Sequence, residues 1–110
     1  MEKIIDTGIT EEMLKENTFP KIKIGNKLYD VNNKKSTFNK IQAVSSNKEL
    51  KEDEMNEKIF ALAFGEDAAK EILELDLPVE NFNYLSFCVM GAITGEEPKK
   101  LQAEAKKSKN

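Results

Sequence analysis

At 110 residues, with a formal net charge of −3, no histidine, no tryptophan and one cysteine, the chain is sized for a single domain with one modest core. The missing histidine removes the commonest general base and zinc ligand, Cys88 alone cannot form an internal disulfide, and no apolar run approaches the roughly 18 residues of a membrane span. Charge is uneven: +2 over residues 1–50, −9 over 51–98 and +4 over 99–110, so the middle of the chain repels the phosphates that a nucleic-acid binder must neutralise.

The start Met1-Glu-Lys-Ile-Ile5-Asp breaks after two apolar residues, which is not a signal peptide and predicts a cytoplasmic protein. Residues 1–20 are weakly patterned and read as a flexible arm. Ile4, Ile5 and Ile9 suit an extended segment, Thr10 can cap one or two helical turns through Asn17, and Thr18-Phe19-Pro20 ends them. From Lys21 the period changes to two, with Ile22 and Ile24 before Gly25-Asn26 and Tyr29 and Val31 after it. A two-residue Gly-Asn loop predicts a type II′ hairpin in which Ile24 pairs with Lys27 and Ile22 with Tyr29. Its apolar face needs cover, because a lone hairpin is marginal in water.

Ser36 or Thr37 is the expected cap of a helix carrying Phe38, Ile41 and Val44, which stops in the polar stretch Ser45-Ser46-Asn47-Lys48. Glu52, Asp53, Glu54 and Glu57 then open a second helix, where the positive end of the helix dipole favours acids. Met55, Ile59 and Leu62 are its predicted stripe, and Gly65 its left-handed stop. A short acidic helix follows with Ala68, Ile72 and Leu75 as its stripe, flanked by Ala69 and Leu73, leaving Glu66, Asp67, Lys70, Glu71 and Glu74 for water. Pro78 starts the last apolar helix, which ends at Gly95. Residues 96–110 are Lys-rich; a helix over Lys99 to Lys106 is open to the tail, but with nothing to bury it is expected to be disordered. Residues 21–95 thus read as one α+β domain, an N-terminal hairpin packed on a bundle of about four helices.

The inventory for catalysis is poor, and the chain is expected not to be an enzyme. Adjacent acids such as Glu11-Glu12 and Asp53-Glu54 point in different directions on a helix. Glu66, Asp67 and Glu71 lack the spacing of a calcium loop, and the glycines follow no phosphate-binding pattern, so neither metal nor cofactor is expected. A helix-turn-helix around Gly65 would place Glu66, Asp67, Glu71 and Glu74 in the major groove against a lone Lys70, which is the wrong charge for a groove reader.

The last helix is the most informative element. Phe82, Leu85 and Val89 form one seam, while Tyr84, Phe87, Cys88, Met90 and Ile93 carry apolar surface around its other sides. Either the chain's own core covers all of it, as for most helices apolar on every side, or one face docks a partner. Leaving Tyr84, Phe87 and Met90 in water forgoes on the order of 5 kcal/mol of burial. Phe60 and Phe64 pose the same question on the edge of the earlier stripe. The candidate partner-binding residues are therefore Phe60, Phe64, Tyr84, Phe87 and Met90.

The order of elements, from the Lys21-Ile-Lys-Ile-Gly-Asn-Lys-Leu-Tyr-Asp-Val31 hairpin through Phe64-Gly-Glu-Asp-Ala-Ala69 to Leu75-Asp-Leu-Pro-Val-Glu-Asn-Phe82, resembles the small tail assembly chaperones of long-tailed phages and prophages of Gram-positive bacteria. The resemblance covers residues 21–95. It implies a non-enzymatic protein of the bacterial cytoplasm that coats the tape measure protein, brings tail tube subunits to it and is absent from the finished virion. It leaves room for homo-oligomers and implies neither nucleic-acid nor membrane binding. Two rival readings stay open: an acidic inhibitor or nucleic-acid mimic that uses Glu52 to Glu80 against a basic host protein, and a structural tail subunit that assembles through the hairpin edge.

Overall fold

The computed structural model describes residues 3–15 and 19–107. Strands β1 (Lys21–Ile24) and β2 (Lys27–Asp30) pair antiparallel with Ile22 opposite Tyr29 and Ile24 opposite Lys27, the register expected from the loop. Gly25 has φ 63° and Asn26 does not have positive φ, which is the pattern of a type II′ turn. Tyr29 and Val31 are buried and Ile22 and Ile24 half-buried, whereas Leu28, one residue out of phase, is exposed. The Val31 amide donates to the Pro20 carbonyl at 2.9 Å. The next amide, of Asn32, donates to the Ala63 carbonyl at 2.8 Å, satisfying one of the acceptors a helix end leaves open.

Helix α2 (Lys35–Ser45) begins earlier than the Ser36 or Thr37 cap implied. Asn32 Oδ1 accepts the Lys34 amide at 3.1 Å, turning the chain into the helix, and Thr37 is left inside its first turn and buried. Ile41 faces the core, with Phe38 and Val44 half-buried beside it. Helix α3 (Glu52–Phe64) starts on its acidic turn as expected, but the buried pair is Phe60 and Ala63, while Met55, Ile59 and Leu62 are only half-buried. The apolar rows lie one residue apart. The row with the large ring is the one that turns inward, because Phe60 reaches aromatic partners on two sides.

Gly65 alone joins α3 to α4 (Glu66–Glu74). It stops α3 as expected but is not left-handed helical: its φ 90°, ψ 157° belong to an extended region that is almost the preserve of glycine. Its amide closes α3 on the Ala61 carbonyl at 2.9 Å and its carbonyl opens α4 from the Ala69 amide at 3.0 Å. On α4 the buried residues are Ala69 and Ile72. Leu75, placed on the stripe by its spacing, lies beyond the last helical residue and is 49% exposed. The turn is made at Asp76, the one non-glycine residue with positive φ (48°) among those described, a backbone state that Asp tolerates better than most residues.

Pro78 precedes α5 (Val79–Thr94) as its N-cap, and Gly95 ends the helix in the left-handed state with its amide on the Gly91 carbonyl at 2.8 Å. The Lys-rich segment expected to be disordered forms α6 over Pro98–Lys107, leaving 108–110 outside the described residues. Its cause is Gly91: a Cβ there would lie 2.6 Å from the Glu96 carbonyl oxygen and 3.2 Å from the Pro98 ring, so the bare glycine lets the turn fold back onto α5.

The class is thus α+β and mostly helical, one antiparallel hairpin with six helices among the described residues. The core is one cluster built from Tyr29, Val31, Ile41, Phe60, Ala63, Ala69, Ile72, Leu85 and Val89, contributed by the hairpin segment and α2 to α5. Among its described residues the N-terminal arm adds nothing to it. Its helix α1 (Glu11–Lys15) is capped by Thr10, whose Oγ1 accepts the Met13 amide at 3.2 Å, and it has no buried residue. The expected continuation through Asn17, and Thr18 after it, lie outside the described residues. The radius of gyration is 16.2 Å against about 13 Å for a compact chain of this length.

Candidate functional site

Four rings run through the fold from α5 to the hairpin. Phe60 stacks on Phe82 with centroids 5.3 Å apart and meets Phe64 edge-on at 5.5 Å, and Phe64 meets Tyr29 edge-on at 6.2 Å. At 2% exposure Phe60 is core, which corrects its place among the candidate docking residues: a ring committed to Phe64 and Phe82 has no face to offer. Phe64 is half-buried and spends its ring on Phe60 and Tyr29. It is a prop for the hairpin more than a free surface.

The buried Tyr29 ring carries a hydroxyl that needs a partner, and it donates to Glu71 Oε1 on α4 at 2.9 Å. Lys27 Nζ donates to the same oxygen and lies 5.2 Å above the Tyr29 ring. Hydrogen bonds from Lys27 and then Tyr29 hold the Glu71 carboxyl below its usual range, and the same bond with Glu71 raises Lys27. Burial, followed by the bond to Glu71, raises the Tyr29 hydroxyl. Glu71, assigned to water by its helical spacing, is therefore the latch between hairpin and α4. The sequence signal that was available was the phenol itself, since a tyrosine at an inward hairpin position requires an acceptor.

The remaining candidates lie on α5. Among the described residues the core cluster takes in Met90, with Phe82, Ala92 and Ile93, but not Tyr84 or Phe87. Tyr84, Phe87, Cys88 and Gly91 recur at helical spacing and define a second face of α5, half-buried at its first three positions. Gly91 brings α6 against that face. Between the two helices runs a groove of about 400 Å³ lined by Asn83, Ser86 and Phe87 on the α5 side and Gln102, Ala105 and Lys106 on the α6 side. Cys88 opens instead onto a cleft of about 450 Å³ shared with Ile22 and Lys23 of β1, and burial raises its thiol pKa, with a partial offset from Tyr84. That environment disfavours a thiolate.

A different chemistry lines the groove of about 460 Å³ between α3 and α4, where Glu57, Glu66 and Glu74 surround Ala61 and Leu73 with Lys70 as the cation. Among the described residues no three metal-ligating side chains come together, and no helix is long and apolar enough to cross a membrane. Comparison with protein-family models, with curated proteins and with solved structures gave no match.

Proposed function

We propose that the chain is a non-enzymatic tail assembly chaperone of a long-tailed phage or prophage, working in the cytoplasm of the bacterial host. In this reading the outer face of α5 holds an apolar helix of the tape measure protein, and the complex helps to recruit tail tube subunits. The observation that supports it is the pair Tyr84 and Phe87, aromatic and half-buried, standing outside the chain's own core cluster, with Phe87 lining the α5–α6 groove. An amphipathic client helix laid across them with anchors at helical spacing is a standard mode of helix-in-groove recognition. Met90, packed on the core from the same helix, would support the floor of such a site without being released from it.

Co-expression tests the reading. The tape measure protein should emerge as a soluble stoichiometric complex, and Tyr84→Asp or Phe87→Asp should weaken that complex at least about tenfold, the scale of a lost interfacial anchor, with unchanged circular dichroism. Variants that unfold would make α5 internal core, and variants that bind as well as the parent would remove the site. The acidic α3–α4 groove supports a second reading, a mimic that takes a basic host protein against Glu57, Glu66 and Glu74. Salt separates the two, because apolar docking persists where attraction between exposed charges is screened over about 3 Å at molar ionic strength.

A further inference from the structure

The N-terminal arm carries more exposed apolar surface than any other segment described. Ile4 is 87% exposed, Ile5 75%, Leu14 72%, Met13 64% and Ile9 60%. A helix of five residues with none buried is far below the length at which a helix holds itself together in water, and Thr10 supplies only one cap. Five such side chains on a short segment mark a surface that is covered in use. The chain's own body does not cover it.

We infer that the arm of one copy seats in the α5–α6 groove of a second copy. Phe87 gives the groove an aromatic, apolar lining. Charge matches as well: α1 opens on Glu11 and Glu12, with Asp6 before them and Lys3 and Lys15 at the two ends of the described arm, while Lys106 lines the groove and Lys107 follows it in the last turn of α6. A partner chosen for the acidic α3–α4 groove would have the opposite sign. Reciprocal exchange of two arms closes the contact as a symmetric dimer and doubles the surface that one arm in one groove buries. The inference concerns the chain alone and is tested without a client, but it shares Phe87 with the chaperone reading, so an arm seated in the groove and a client helix exclude one another there.

Sedimentation equilibrium on the 110-residue chain at up to about 100 µM should show a dimer, and the arm variant Ile5→Asp/Ile9→Asp/Leu14→Asp a monomer with the same circular dichroism. In the groove, Phe87→Asp should also give a monomer. Because that variant could fail to fold, the surface pair Lys106→Glu/Lys107→Glu provides an independent arm: it should weaken dimerisation at least about tenfold, and mixing it with Glu11→Lys/Glu12→Lys chains should restore a heterodimer. A monomeric parent chain, including one whose arm is protected by its own body, overturns the inference. So does a dimer that survives the arm substitutions, or a charge swap that restores nothing.

Discussion

Helices α4 and α6 are nearly equal in length, nine and ten residues, and both are short amphipathic segments following a glycine, yet they are held in unlike ways. Helix α4 buries Ala69 and Ile72, is joined to α3 through a single residue, and is latched to the hairpin by Glu71. Helix α6 has no buried residue and rests on α5 alone among its larger contacts. The lesson is that amphipathic spacing does not settle a short helix's standing in a fold. What it meets at its buried face and at its ends does.

The largest effect should come from deleting side chains on the two helices in parallel. Ile72→Ala leaves a cavity under α4 and should cost about 2–5 kcal/mol in urea unfolding, whereas Leu101→Ala on α6, half-buried to begin with, should cost under about 1 kcal/mol. Equal losses would show that α6 is as much core as α4. An intermediate effect is expected at the α5–α6 joint. The Cβ added by Gly91→Ala meets backbone at Glu96, so it must move the turn, and it should destabilise by about 1–3 kcal/mol. Hydrogen exchange should quicken in residues 98–107 while α4 stays protected. Faster exchange in α4 would break the distinction between the two helices.

The smallest effect is set by pH. Because Glu71 titrates below its usual 4.5 when folded, its contribution is complete above that value and is lost as pH falls through the depressed one. Lys27, raised above 10.5, contributes fully below that value and loses its part as pH climbs through the raised one; Tyr29, raised above 10.0, behaves in the same sense. The latch is therefore strongest from about pH 5 to 10. Thermal unfolding followed against pH should show the acid loss in the parent and a reduced one in Glu71→Gln. An identical acid limb in both would mean that the latch contributes nothing measurable.

Much of the fold was legible because its local rules are strict. A Gly-Asn loop fixes hairpin register, so Ile22 and Tyr29 were paired correctly from spacing alone, and Gly65, Pro78 and Gly95 punctuate the helices where they stand. What escaped depended on contacts distant in sequence. Spacing gave Met55, Ile59 and Leu62 the inner face of α3, but Phe60 takes it because rings from α5 and α3 itself wait there. Leu75 continued a periodic stripe past the residue where Asp76 turns the chain. Glu71 looked like any solvated acid, since its partners lie more than forty positions away. For the candidate site, sequence singled out the α5 residues but could not separate Phe60, sealed in the core, from Phe87, set beside a groove. It also missed Gly91, whose want of a side chain lets the turn into α6 lie against α5.

The bond from the Asn32 amide to the Ala63 carbonyl, with the reach of Tyr29 to Glu71, has a consequence for how the chain is made. As a ribosome extends the chain at about 5–20 residues per second, the hairpin emerges seconds before the two helices that cover it. Its turn is local and can close early, but a bare two-stranded hairpin is marginal on its own. Helices α3 and α4, linked by one glycine, can pair as soon as both are out, since their contacts are close in sequence. The contacts that complete the hairpin, from Phe64 and Glu71 to Tyr29, thus come from helices translated after it.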